Sequence, residues 1–182
     1  MEITETLYVR NREEWRTWLE ANHTSKTEIW LLYPNRSSGR PSIPYNDAVE
    51  EALCFGWIDG QVKKPDAETQ AQRFTPRKPK SNWSALNKER VRRLIAEGRM
   101  TDAGRATLPD LSTDLFVIPE DIEAALRADP QVWENFQNFP ESYRRIRIGY
   151  VNDVRRQPQE FAKRLANLVR QTARNRMFGT MP

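Results

Sequence analysis

Residues 45–60 read YNDAVEEALCFGWIDG, and the fold class turns on them. Tyr45, Ala48, Val49, Ala52 and Leu53 fall at i, i+3, i+4, i+7 and i+8, which predicts an amphipathic helix. Asp47 stands in its first turn, where the helix dipole favours an anion, and Asp47, Glu50 and Glu51 are expected on the solvent side. Gly56 is placed to end the helix as a left-handed cap. The aromatic and branched run W-I-D-G-Q-V at 57–62 then predicts a strand, with a turn at Gly60 or shortly beyond. Thr69 to Thr75 is its expected partner.

The same reading extends outward. Residues 6–10 predict a short strand, and Asn11 caps a following helix with Glu14 three residues on. Trp15, Trp18 and Leu19 give that helix an apolar face to about residue 22. E-I-W-L-L-Y at 28–33 predicts another strand, stopped by Pro34, and the Ser-, Gly- and Pro-rich residues 35–44 predict a loop. Downstream, P-R-K-P-K at 76–80 is irregular, because each Pro biases its predecessor towards extended backbone. Ser81 or Ser84 caps a helix ending near Gly98, with Trp83, Asn87, Val91, Leu94 and Ile95 on one face, and a short helix follows from Asp102 to Leu108. From Pro119 the pattern is helical, broken by Pro: 119–127, 130–138, 140–156 and 158–175. The expected fold is α+β, a small, mostly antiparallel sheet with packed helices over 1–112, a hinge around 109–118, and an all-helical segment over 119–182.

The chain has 182 residues and a formal net charge of +4. Leu, Ile, Val and Phe make up only about a fifth of it, but six Trp and five Tyr supply core-forming surface. A single Cys excludes an intramolecular disulfide or a Cys-based metal cluster, and a single His removes most zinc sites. No apolar run approaches a membrane span, and the start M-E-I-T-E-T lacks the blocks of a signal peptide, so a cytoplasmic protein is expected. Charge is unevenly placed. Residues 1–72 carry eight basic and twelve acidic side chains, whereas 73–93 carry eight basic residues against Glu89 alone. Residues 155–176 hold seven basic residues against Glu160. Either block is a solvated helix face or a surface for an anionic partner.

The candidate site lies within 55–87, as an anion-binding pocket formed by the 57–60 turn and the 73–87 loop and helix. A hairpin-like fold would bring the Trp57–Asp59 corner near the basic loop, whose two Pro residues hold Arg77 and Lys80 with little entropy left to lose on binding. The candidate ligand residues are Trp57, Asp59, Arg73, Arg77, Lys80, Trp83 and Asn87. The Trp rings would stack on the ligand and the cations would hold an anionic group. The competing reading pairs Asp59 with Arg73 or Arg77 as a fastener and puts both rings in the core. Under either reading Asn87, on the face of Trp83 and Val91, clamps the 76–80 backbone or contacts a ligand. Cys54, at the wrong end of its helix for a depressed pKa, reads as buried and structural, and His23 as a surface residue near a helix end. No catalytic residue, metal ligand or cofactor signature stands out, and no glycine-rich phosphate loop is present.

The runs YNDAVEEALCFGWIDG (45–60), FTPRKPKSNWSALNKERV (74–91) and GRMTDAG (98–104) resemble the YdeI/OmpD-associated, or bacteriocin-protection, family. EWRTWLE, EIWLLY, PEDIEAAL and PESYRR agree with it. The chain departs from the family's A-K-x-x-E-T-R type run at 151–161, where it reads VNDVRRQPQEF. The resemblance implies resistance to bacteriocins or cationic antimicrobial peptides and an association with an outer-membrane porin, without a defined reaction. Three functions stand open: a non-enzymatic binding or stress-protection protein holding a small anion or acidic peptide group, a nucleic-acid-binding protein using both basic blocks, and an enzyme using Asp59 with Arg77 or Lys80. No cofactor is expected.

Overall fold

A computed structural model describes residues 2–112 and 115–181. About 48% of the chain is helical and 13% strand, an α+β fold. It divides into two compact units, one of residues 1–81 and 91–109 and the other of residues 82–90 and 110–182. The expected hinge at 109–118 includes Thr113 and Asp114, which lie outside the described residues.

In the first unit, strands β1 (Thr6–Leu7), β2 (Ile29–Pro34), β3 (Trp57–Lys63) and β4 (Thr69–Pro76) form one sheet in the order β1-β2-β4-β3. β1 runs parallel to β2, and the other two pairings are antiparallel. β1 is shorter than its sequence suggests because the Val9 carbonyl turns away to accept from Ile43 N at 3.3 Å. Helices α1 (Arg12–Asn22) and α2 (Tyr45–Cys54) place Trp15, Leu19, Ala48, Val49, Ala52 and Leu53 in the core with Ile29, Leu31 and Phe74 of the sheet. Trp15 donates from its indole to Ala48 O at 3.0 Å, and its ring lies 5.4 Å from Phe74. Asn11 caps α1 by accepting from Glu14 N at 2.9 Å, while Glu14 reaches back to Arg10 N at 2.8 Å.

Gly56 ends α2 in the left-handed region, φ +74°, with its N–H on Leu53 O at 3.1 Å. A β-carbon there would also meet Ala103 O at 2.9 Å, so only glycine serves. The chain turns not at Gly60 but shortly beyond, between Lys63 and Thr69. β3 continues to Lys63 through a register shift between Asp59 and Val62, where Gln72 Nε2 donates to the Gly60 carbonyl at 2.8 Å.

α3 (Ala85–Ala96) has its first residues in the second unit and its last in the first, which also holds the short α4 (Asp102–Arg105). The second unit otherwise consists of α5 (Glu120–Arg127), α6 (Pro130–Asn138), α7 (Glu141–Asn152) and α8 (Pro158–Ala173). Asp129 caps α6 by accepting from Gln131 N at 2.8 Å, with Pro130 at the first helical position. Ile122, Leu126, Val132, Phe136, Tyr143, Ile148, Val151 and Leu168 form its core. The buried Asn135 ties α6 to α8 by donating to Thr172 O at 2.9 Å.

Candidate functional site

The ladder between β3 and β4 puts Trp57 opposite Pro76, Ile58 opposite Thr75 and Asp59 opposite Phe74. Just past the last pair, Arg77 N donates to Gly56 O at 2.8 Å, so the basic loop leaves the sheet beside the Trp57–Asp59 corner. The two stretches are neighbours, but their side chains have different tasks. Trp57 is fully buried, its indole donates to His23 O at 3.1 Å, and Trp18 meets its ring edge-on at 5.9 Å. It is core, not a stacking platform. Arg73 donates from Nε to Glu28 at 2.7 Å and pairs with it again through Nη2. Hydrogen bonds from Thr4 and then Arg73 hold the Glu28 carboxyl below its ordinary range.

Asp59 is half-buried and accepts from the Tyr45 hydroxyl at 2.7 Å, which fastens β3 to the first turn of α2. Arg77 is only 8% exposed. Burial lowers its guanidinium pKa, and the nearby Asp59 charge opposes that. Lys80 is exposed, in the left-handed region at φ 59°. Trp83 and Asn87 belong to the second unit. There Trp83 is buried, and Asn87 accepts from Arg90 Nη1 at 2.9 Å.

Beside Asp59 the sheet and α2 frame a cavity of about 170 Å³ lined by Tyr33, Tyr45, Val62, Gln70 and Gln72. Tyr33 lies opposite Gln70 in the β2–β4 ladder, and its hydroxyl is buried without a hydrogen-bond partner. Burial, then the charges of Tyr45 and Asp59, raise its pKa. Sequence reading misses this cavity, because the pairing register, not the periodicity of any one strand, brings Tyr33, Gln70 and Gln72 together.

The acidic cluster on α2 differs from its expected place. Asp47 stays partly exposed, but Glu50 is 4% and Glu51 1% exposed. Arg12 donates to Asp47 at 2.6 Å, to Glu50 at 3.0 Å and to Glu51 at 3.2 Å. Arg16 donates to Glu51 at 2.9 Å, Arg93 pairs with Glu50, and Arg99 pairs with Glu51. The helix face that periodicity assigns to solvent is covered by four arginines from elsewhere in the first unit. That network ties α1, α2 and the end of α3 together and takes up the carboxylates a metal ion would need. Cys54 is fully buried, and burial, then the Glu51 charge, push its thiol up to about 11. His23 ends α1, with Nδ1 2.9 Å from Leu19 O.

Basic residues of the C-terminal block are also paired. Arg155 holds Asp121 at 2.8 Å, and Arg164 donates to Glu160 at 2.8 Å.

Comparison with known proteins gives two family matches. Residues 115–175 match the family described as bacteriocin-protection, YdeI or OmpD-associated, and the match runs through the divergent segment at 151–161. No curated protein and no solved structure matches the chain. The motifs at 45–104 fall within the other match, which covers residues 7–107. The chain thus belongs to the family described as a domain of unknown function (DUF8412) and carries a YdeI or OmpD-associated domain after it.

Proposed function

We propose that this is a non-enzymatic binding protein of the bacteriocin-protection type, acting in the cytoplasm, with an α+β module over 1–112 and a helical region over 119–182. Its first unit takes a small anion or an acidic peptide group at 57–60 and 73–80. The family match supports the protective role at family level only. No described helix is long and apolar enough to cross a membrane, and an envelope or porin association rests on the family's name alone.

The observation that carries the site is Arg77. It is a nearly buried cation between Pro76 and Pro79, fixed by its own amide on Gly56 and next to the Asp59 charge. A guanidinium already desolvated, on a backbone already fixed, loses little on binding, so a charged hydrogen bond there keeps most of its worth. Lys80 supplies an exposed second cation. Asp59 fixes the corner through Tyr45, and Arg73 braces the sheet through Glu28. The pairing of Arg93, Arg155 and Arg164 within the chain disfavours the nucleic-acid reading.

The test is a ¹⁵N-resolved NMR titration of the full chain with inorganic phosphate and with a short poly-glutamate peptide. Saturable shifts are expected at the amides of residues 56–59 and 77–80, and Arg77→Glu should abolish them while the rest of the spectrum stays native. Unchanged amides in that region, or equal loss of fold and binding in Arg77→Glu, would overturn the reading.

A further inference from the structure

We propose that the second unit has its own oxyanion site, a cavity between the start of α3 and α7 that takes a phosphate or carboxylate group through Arg147 and the helix amides. The cavity is about 150 Å³ and is lined by Ser84, Ala85, Leu86, Arg147, Tyr150 and Asp153 among others.

Arg147 carries the argument. It is 5% exposed, yet no carboxylate among the described residues pairs with it. Its guanidinium is enclosed by the rings of Tyr143, Tyr150 and Phe178 at 5.7, 5.4 and 5.2 Å. Nη2 donates to Thr180 O at 3.2 Å, and Nε has no partner. Gly179 closes on it at φ +78°, where a β-carbon would sit 2.2 Å from Nη1. By contrast Arg12, Arg16, Arg93 and Arg99 all meet carboxylates. Taking a cation out of water without a counter-charge is costly, and an anion from solution removes that cost.

The start of α3 is a second, independent feature. Ser84 Oγ accepts from Asn87 N at 3.3 Å, which leaves the Ala85 and Leu86 amides without an intrahelical acceptor on the wall of the cavity. Gly149 makes this possible, since a β-carbon there would lie 2.4 Å from Ala85 Cβ. Donor amides and the positive end of the dipole therefore share the cavity lining with Arg147. Asp153 is the one carboxylate among the described lining residues. Burial raises its carboxyl pKa, and the charges of Arg164 and Lys88 oppose that.

The full-length protein is titrated with sodium phosphate and, separately, with sodium acetate, each against sodium chloride at matched ionic strength. Saturable ¹⁵N shifts are expected at Ala85, Leu86 and the Arg147 side chain. Saturation by phosphate alone assigns a phosphate group, and by acetate alone a carboxylate. Arg147→Met should weaken binding at least tenfold. Should that variant lose its fold, Ser84→Asp carries the test, because Asp keeps the cap and adds a negative charge at the cavity, again costing at least tenfold. Arg77→Glu should leave this response intact, which separates it from the first unit's site. Shifts that merely track chloride, that persist in Arg147→Met and Ser84→Asp, or that vanish in Arg77→Glu would overturn the proposal.

Discussion

Gly104 lies against the main chain of Cys54 so closely that a β-carbon on it would stand 2.1 Å from the Cys54 carbonyl oxygen. That oxygen is held in place, because it accepts from Thr101 N at 3.1 Å and from Thr101 Oγ1 at 2.6 Å. Thr101 Oγ1 in turn caps α4 by accepting from Gly104 N at 3.2 Å. In an unconstrained helix, Gly→Ala gains about 1 kcal/mol. Here the backbone contact reverses the sign, and Gly104→Ala should cost about 1 to 3 kcal/mol, the range of an overpacked core. Urea unfolding followed by Trp fluorescence measures it.

Glu51 is expected to be the most sensitive acidic position of the first unit. It is 1% exposed and meets Arg12, Arg16 and Arg99. Removing the carboxylate leaves three guanidinium groups facing one another with one negative charge fewer, so Glu51→Ala should cost about 3 to 5 kcal/mol. The exposed pair between Lys26 and Glu5 gives the contrast. Substituting Glu5 by Gln should change stability by at most about 1 kcal/mol, and that effect should fade in high salt while the Glu51 effect persists. Melting curves of the two variants at low and high sodium chloride check both expectations.

This network also shows where sequence reading stops. The helix over 45–54, its glycine cap and the 57–63 strand follow from apolar spacing and one left-handed residue, and all are legible in the chain. The burial of Glu50 and Glu51 is not, because spacing tells which face of a helix is polar but not whether arginines from distant segments will cover it. Trp57 raises a similar problem. Beside a basic loop it reads equally well as a stacking ring or as core, and only the position of Trp18 and His23 O decides for core. Arg147 left a fainter mark. It falls on the same stripe as Tyr143, Tyr150 and Val151, at i, i+4, i+7 and i+8, where a charge on an apolar face calls for a partner.

Cys54 should be inert towards thiol reagents in the folded protein at neutral pH. Its thiol is fully buried, and its pKa is pushed up to about 11 from an ordinary 9.0, so almost no thiolate forms. A disulfide reagent at pH 7.5 should react only when urea is added. The same shift bears on stability. Above pH 9.0 the unfolded thiol loses its proton while the folded one keeps it, so this contribution is complete below that pH. It then falls by at most about 1.4 kcal/mol per pH unit until the folded thiol ionises near 11. Cys54→Ala should flatten that part of the alkaline decline, and an unchanged slope would show that another group causes it.

Gly149 and Ala85 provide the sharpest test of how α3 begins in the second unit. A β-carbon on Gly149 would lie 2.4 Å from Ala85 Cβ and 3.7 Å from Ala85 Cα. The nearest atom is thus a methyl group that a second substitution can remove. Gly149→Ala alone should cost about 1 to 3 kcal/mol through overpacking, despite the better helix propensity of Ala. Ala85→Gly alone should cost no more than about 1 kcal/mol, since it loses only propensity and one methyl contact at a helix start. If the two side chains meet as the geometry requires, the double variant should be at least about 1 kcal/mol more stable than the sum of the single costs, because the clash has gone. Strict additivity in this cycle would mean that α3 does not start against α7, and the donor amides of the cavity would then have nothing to hold them beside Arg147.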